Sequence, residues 1–291
     1  MIIDFHTHIF PDSIAERAIT NLATNVANLK ENEKLYAYTK GTASSLLESA
    51  NKSGVDICVT LPVATKPTQS RTLVDNAIRF NEGFEERLKA KQPGDNLLYH
   101  FAGLHPENDD YKELINDLAN HGVKGIKLHP VFQKVDFDDI RYKRIVEYAT
   151  EKDLIVVVHS GYDITWIDAE YSTCKHILPV LKDVGPNKLV LAHMGGWMEW
   201  DIIGEMLSKY HPYIDTAFSL FEGELPINNV TPLAPERFKE LVKLVGADHV
   251  LFGTDSPWSG QNETMELVKA VTNDNEYKMI LGDNAIKLLN I

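Results

Sequence analysis

Histidines recur in this chain at positions from which they could share one ion. His6 and His8 stand one residue apart in the opening "DFHTH". In a strand, residues i and i+2 point to the same face, so both rings could aim at a single point. Two polar residues on one strand face would read the same way. Later apolar runs also end on residues of ligand type. "GIKLHP" carries Lys127 and His129, "LIVVVHSG" stops on His159, "LVLAHMGG" stops on His193, and "VLFGTDSPW" reaches Asp255. Imidazole nitrogens and a carboxylate are the donors that a borderline divalent ion such as Zn²⁺ takes. Any one of these residues alone reads as a polar strand end that caps the next loop. The metal reading requires a fold that brings them together.

The elements that must position them are legible as short runs rich in Val, Ile and Leu. Strands are expected at Ile2–Phe5, Val55–Leu61, Leu97–Gly103, Gly122–Leu128, Leu154–His159, Lys188–His193, Tyr213–Thr216 and His249–Thr254. None alternates strictly, which is the pattern of strands covered on both faces. Helices are expected between them at Thr42–Lys52, Thr68–Leu88, Asp110–Asn120, Asp139–Glu151, Cys174–Lys182, Met198–Lys209 and Pro235–Val245, with a helical tail over Glu263–Val271 and Asn284–Leu289. "NKSGVD", "NHGVKG" and "KLVGADHV" each place Gly between the last helical residue and the next strand, as a C-terminal cap does. Alternating strands and helices predict an α/β fold, a (β/α)8 TIM barrel forming one catalytic domain over residues 1–291. Residues 12–40 read as a partly helical insertion after the first strand, and 89–96 as a polar loop. A barrel of this kind carries its active site at the C-terminal ends of its strands. His6 and His8 fall there on strand one, Lys127 on strand four, His159 on five, His193 on six and Asp255 on eight.

Composition narrows the partners. The chain has 291 residues, 44% hydrophobic and 24% charged, an ordinary globular balance. A net charge of −13 argues against a nucleic-acid backbone as partner. No apolar run approaches the length of a membrane span, and no basic-then-apolar leader opens the chain, so a cytoplasmic location is expected. Cys58 and Cys174 make neither a C-x-x-C pair nor a disulfide framework.

With His6-x-His8, His159, His193 and Asp255 in their surrounding words, and "LGDNAIKLL" near the end, the sequence resembles the amidohydrolase superfamily, and within it the amidohydrolase-related "amidohydrolase 2" branch. The resemblance runs from the first strand to the last helix. That branch holds metal-dependent hydrolases, together with decarboxylases and hydratases of small carboxylated, often ring-derived, substrates. It implies one divalent ion, Zn²⁺ before others, on His6, His8, His159 and Asp255. It implies that Asp255 also takes the proton of an attacking water, and that His193 stands beside the ion as proton donor, base or oxyanion partner. A small-molecule substrate is expected, and a homodimer is common in that branch. Hydrolysis of an amide, lactone or related C–N or C–O bond is the leading expectation. Non-oxidative decarboxylation is the alternative, because the ligand set is shared. Lys127 stays open: a carboxylated bridge between two ions, a substrate or catalytic contact, or a structural partner of a barrel carboxylate. A deoxyribonuclease reading predicts Glu at the end of strand four, where Lys127 stands.

Weaker candidates surround this set. Asp4 could orient a ligand or simply alternate with Phe5. His129 could point with Lys127 or cap its loop. Asp215 is a candidate pocket residue, and His105 reads as part of its loop. Trp197, Trp200 and Trp258 could wall a pocket or pack loops. Arg71 could meet an anionic substrate or sit solvated on a helix. His100, His121, His176, His211 and His249 are assigned no chemistry.

Overall fold

The computed structural model describes residues 1–221 and 223–291. Among them, nine strand segments lie parallel: β1 (Ile3–Thr7), β2 (Ile57–Thr60), β3 (Leu97–His100), β4 (Ala102–Gly103), β5 (Gly125–Leu128), β6 (Ile155–Val158), β7 (Leu189–Leu191), β8 (Tyr213–Asp215) and β9 (Val250–Leu251). They pair in two runs, β1 to β3 and β4 to β9. The runs join. β3 and β4 are two parts of the expected third strand. Between them the Phe101 amide donates to Thr60 O at 3.1 Å, and beyond them Leu104 N reaches Lys127 O at 3.3 Å. At the other seam, Phe5 N donates to Phe252 O and Asp255 N to His6 O, both at 2.8 Å. Eight strand positions therefore close into the expected TIM barrel.

Side chains sort along each strand with period two. On β6, Ile155 and Val157 join Ile3, Phe5, Ile57, Val59 and Val190 in one cluster, which fills the barrel. Val156 and Val158 belong to the other cluster, with Ile145 and Ile177 of the surrounding helices. Burying each such side chain contributes about 1.5–3 kcal/mol. Val157→Asp would therefore break the inner layer, by leaving an unpaired carboxylate between Ile155 and Val190.

The helices are α1 (Asp12–Thr24), α2 (Ala43–Ser53), α3 (Ser70–Asn81), α4 (Phe84–Ala90), α5 (Tyr111–Asn120), α6 (Pro130–Gln133), α7 (Ile140–Glu151), α8 (Cys174–Asp183), α9 (Gly204–Tyr210), α10 (Pro235–Val245), α11 (Gln261–Val271), α12 (Asp274–Lys278) and α13 (Asn284–Leu289). None is long and apolar enough to cross a membrane. α2 shows why one begins and ends where it does. Thr42 accepts from Ser45 N at 3.2 Å while Ser45 Oγ accepts from Thr42 N at 3.1 Å, and Gly54 closes the helix at φ 70°.

Two expected helices are corrected. The long helix over Thr68–Leu88 is two, because Gly83 takes φ 66° between α3 and α4. The helix expected from Met198 starts only at Gly204, since Met198 itself is left-handed at φ 66°. The insertion after β1 contains α1, as expected. It then crosses the rim, where Ala27 N donates to Ile164 O, Lys30 N to Pro226 O and Tyr38 N to Pro257 O.

Candidate metal centre

The first strand is bent to present its histidines. Ile3 faces Ile57 and Asp4 faces Cys58, but Thr7 faces Thr60, so one extra residue of β1 is accommodated against β2. Such a bulge re-aims side chains. Asp4 turns away from the barrel axis, where its carboxylate accepts from Thr254 Oγ1 at 2.7 Å and Gln261 Nε2 at 2.9 Å. Burial pushes Asp4 up to about 7, against those hydrogen bonds. His6 turns inward. The strand beside it needs Gly253, since a Cβ there would lie 2.8 Å from His6 Cβ. At the ends of β7 and β9 the chain turns sharply, with His193 at φ 59° and Asp255 at φ 61°. Left-handed backbone in residues other than glycine costs about 1–3 kcal/mol and clusters at functional sites.

On the β1–β9 side, Asp255 Oδ1 lies 2.9 Å from His8 Nε2 and 3.6 Å from His6 Nε2. Burial raises the Asp255 carboxyl. The hydrogen bond from His8 and the charges of His6, His8 and His193 outweigh it and hold the group below the ordinary carboxylate range. His6 Nδ1 donates to Asp215 Oδ2 at 2.8 Å, which leaves the Nε2 lone pair facing the cavity. Asp215 is fully buried, and its other oxygen accepts from His193 N at 2.9 Å and Ala217 N at 3.1 Å.

On the β6–β7 side, His193 Nδ1 donates to Ala217 O at 2.9 Å, and His159 Nε2 donates to Tyr162 O at 3.0 Å. A carbonyl can only accept, so in each neutral ring the other nitrogen carries a lone pair. Those two nitrogens, His193 Nε2 and His159 Nδ1, face each other at 3.0 Å. Two lone pairs at that distance repel, and a cation held at the His159 nitrogen would relieve the contact. A proton serves poorly. Burial, then the Lys127 ammonium, pushes His159 down to about 3, and burial, then His159, pushes His193 down to about 4. A divalent ion fits this arrangement.

Lys127 stands between the two sides. Its Nζ is 3.3 Å from His6 Nε2, and among the described residues it pairs with no carboxylate. Burial brings it down to about 8, while Asp215 and Asp255 hold it up. The His6 lone pair cannot accept from the ammonium and also hold an ion. His129 does both things expected of it. Its Nδ1 accepts from Phe132 N at 3.4 Å, capping α6, and its ring stacks on His159 with centroids 4.3 Å apart.

These residues share the floor of one cavity of about 480 Å³. Apolar side chains wall it above, among them Phe10, Phe132, Trp197 and Trp258. A second, more open groove of about 780 Å³, lined by Asp136, Glu170 and His176, shares Thr165 with it but none of the rim histidines.

The structure brings His6, His8, Lys127, His159, His193 and Asp255 to one floor. Other candidates fall elsewhere. Asp215 does not line the cavity; it sits behind His6. Asp4 accepts from the His6 backbone rather than its ring. Arg71 pairs with Asp117 and Glu113 on α5. His105 accepts from Glu107 N within its own loop. Trp200 donates to His193 O at 2.9 Å and so fixes that turn. Asp163, buried with its Oδ2 3.7 Å from His129 Nε2 and 3.8 Å from His159 Nε2, was not foreseen. It lies four residues past His159 in a loop, where no periodicity flags it.

The fold recurs among solved structures. A TIM-barrel protein from Bordetella bronchiseptica matches at TM-score 0.71 and 18% identity, over 99% of this chain and 98% of that one. The 5-carboxyvanillate decarboxylase of Sphingomonas paucimobilis matches at TM-score 0.68 and 13% identity, over 100% and 99%. A Pseudomonas putida protein assigned as a 2-pyrone-4,6-dicarboxylic acid hydrolase matches at TM-score 0.64 and 16% identity, over 99% and 97%. No curated protein matches by sequence. A family model described as amidohydrolase matches residues 3–291, nearly the whole length that carries the barrel and its histidine floor, and the chain belongs to that family.

Proposed function

We propose that the chain acts as one catalytic domain, a metal-dependent hydrolase of an amide, lactone or related C–N or C–O bond in a small substrate. The observation that carries this is the facing pair of lone pairs on His159 and His193, beside the Asp255 carboxylate and the His6 lone pair, at the floor of a largely apolar cavity. His6, His8, His159 and Asp255 would hold one divalent ion. Zn²⁺ suits nitrogen donors with a single carboxylate. Such an ion lowers the pKa of water toward neutrality and polarises the substrate carbonyl.

The rest falls to the chain's own groups. Asp255, kept ionised by its histidine neighbours, accepts the proton of the attacking water at its free oxygen. That proton, taken in turn by the His193 Nε2 lone pair, can pass to the leaving atom. Lys127, freed from His6 when that lone pair is engaged, turns its ammonium to substrate oxygen. The apolar walls exclude bulk water and strengthen these charges.

Decarboxylation is the second reading. It is supported by the structural likeness to a decarboxylase and by Lys127, a buried cation with no carboxylate partner among the described residues and suited to a substrate carboxylate. Incubation of the metal-loaded protein with lactone, amide and aryl carboxylate panels in H₂¹⁸O separates the two. Incorporation of ¹⁸O into a product acid supports hydrolysis. Release of CO₂ without ¹⁸O in the organic product would sink it in favour of the lyase. Metal content near one ion per chain, with unmodified Lys127 by mass, is expected alongside.

A further inference from the structure

Two buried polar groups of the cavity have no part in holding the ion or moving its proton. They are His129 and Asp163, 6% and 7% exposed, and both line the cavity. The His129 ring is clamped by other rings, stacked on His159 with centroids 4.3 Å apart and edge-on to Phe132 at 4.4 Å. Its Nδ1 accepts from Phe132 N. A backbone amide can only donate, so the lone pair is on Nδ1 and the proton on Nε2. That Nε2–H has no hydrogen-bond partner among the described residues, yet it is not one of the unpartnered polar atoms shut off from solvent. It is therefore open, and it opens to the cavity that His129 lines.

The acceptor beside it is Asp163 Oδ2, at 3.7 Å. That is beyond hydrogen-bond reach. The carboxylate is held by its other oxygen, which accepts from Thr165 N at 2.7 Å. His129, His159 and Asp163 stand close enough to suggest a second metal cluster. The tautomers argue against one. His159 Nε2, 3.8 Å from the same carboxylate, donates to Tyr162 O, so neither ring turns a lone pair toward Asp163. What remains is a donor and an acceptor with a gap between them. One oxygen seated beside both can lie about 2.8 Å from each. It must accept from His129 and donate to Asp163, which a hydroxyl does and a carbonyl, ether or carboxylate oxygen does not.

We infer that His129 and Asp163 form a substrate-binding pair for a hydroxyl group, with His129 Nε2–H donating to its oxygen and Asp163 Oδ2 accepting its hydrogen. The substrate class is then a hydroxyacyl compound. Because His129 stacks on His159, the hydroxyl stands only a few bonds from the reacting carbonyl. This rests on the hydrolase reading for the acyl group only.

Three probes test it on the zinc-loaded full chain by calorimetry: butyrohydroxamate and its 3-hydroxy and 4-hydroxy derivatives. At least one hydroxylated probe should bind about 10-fold tighter than the parent, the net worth of the two hydrogen bonds. That ratio is read within each protein, so changes in zinc content or packing cancel. In Asp163→Ala and in His129→Phe it should fall to about 2-fold or less. The inference is overturned if no probe binds, if neither hydroxyl improves on the parent, or if the gain survives either substitution undiminished. Two zinc ions per wild-type chain, falling to one in Asp163→Ala, would also overturn it, since the cluster would then hold metal. A hydroxyl gain as expected, with no hydrolysis of any acyl substrate, would instead overturn the hydrolase reading and leave the pair its role.

Discussion

The two sides of the cavity floor are built on different physics. Between β1 and β9, carboxylates do the organising: Asp255 meets His8 and His6, and Asp215 holds the far nitrogen of His6. Between β6 and β7, backbone carbonyls do it: Tyr162 O holds His159, and Ala217 O holds His193. The first side carries negative charge toward a cation. The second offers lone pairs, since burial, with the Lys127 ammonium, keeps its rings unprotonated, and the Asp163 carboxylate stands 3.8 Å from His159 Nε2, beyond hydrogen-bond reach. Charge attracts an ion over distance, whereas a neutral lone pair acts only at contact. The carboxylate side should therefore set affinity, and the carbonyl side should set position and chemistry.

The strongest test of that division compares one residue from each side. Asp255→Asn should lose most of the bound metal and lower kcat/KM by about 10³-fold or more, because a ligand charge and a proton acceptor go together. His193→Asn should keep most of the metal and lower kcat by about 10²-fold. Metal content by atomic emission, read beside kinetics on the same preparations, separates the two. Equal metal loss in both variants would erase the distinction.

A finer test leaves every cavity-facing group in place. Asp215→Asn keeps an oxygen to accept from His6 Nδ1 but removes the charge behind the ring. Loss of such an orienting carboxylate weakens metal binding by about 10- to 100-fold. Competition against a chromophoric chelator measures it. Affinity unchanged in Asp215→Asn would mean that the carboxylate side works no differently from the carbonyl side.

The same contrast explains what could be read from the sequence. His159, His193 and Asp255 were legible because an apolar run stops at each, and a barrel places such stops on one rim. Lys127 and His129 were legible as a pair two apart, and both line the cavity. The inward turn of His6 was not, since it depends on a bulge against β2 that leaves no local mark. Nor was Asp215 behind His6, 209 residues away, or the carbonyls that orient His159 and His193. Any residue supplies a carbonyl, so a site half organised by backbone is half silent in sequence. Gly83 did carry a stop signal inside the long expected helix, but the apolar period on both sides of it masked the break.

The smallest effect concerns a buried carboxylate on the carbonyl side. Glu199 follows β7, and its Oε2 accepts from Cys174 N at 2.7 Å, which caps α8 where Thr173 offers no side-chain bond. Unlike Asp255 it accepts no histidine hydrogen bond among the described residues, and burial pushes it up to about 7 despite the Cys174 hydrogen bond and the weaker pull of His176. The folded chain therefore holds this proton more tightly than the unfolded chain, whose carboxyl titrates near 4.5. Stability from this group is complete below the unfolded value and falls as pH rises toward the folded one, by about 1–2 kcal/mol across the window. Glu199→Gln keeps an acceptor for Cys174 and removes the titration. In chelator, so that metal binding does not contribute, urea midpoints at pH 5 and pH 7.5 should show the variant gaining on wild type as pH rises. The buried histidines titrate in both proteins and cancel in the comparison. Parallel profiles would show that the two sides of the floor hold their carboxylates alike, both ionised, and would remove the contrast at its weakest point.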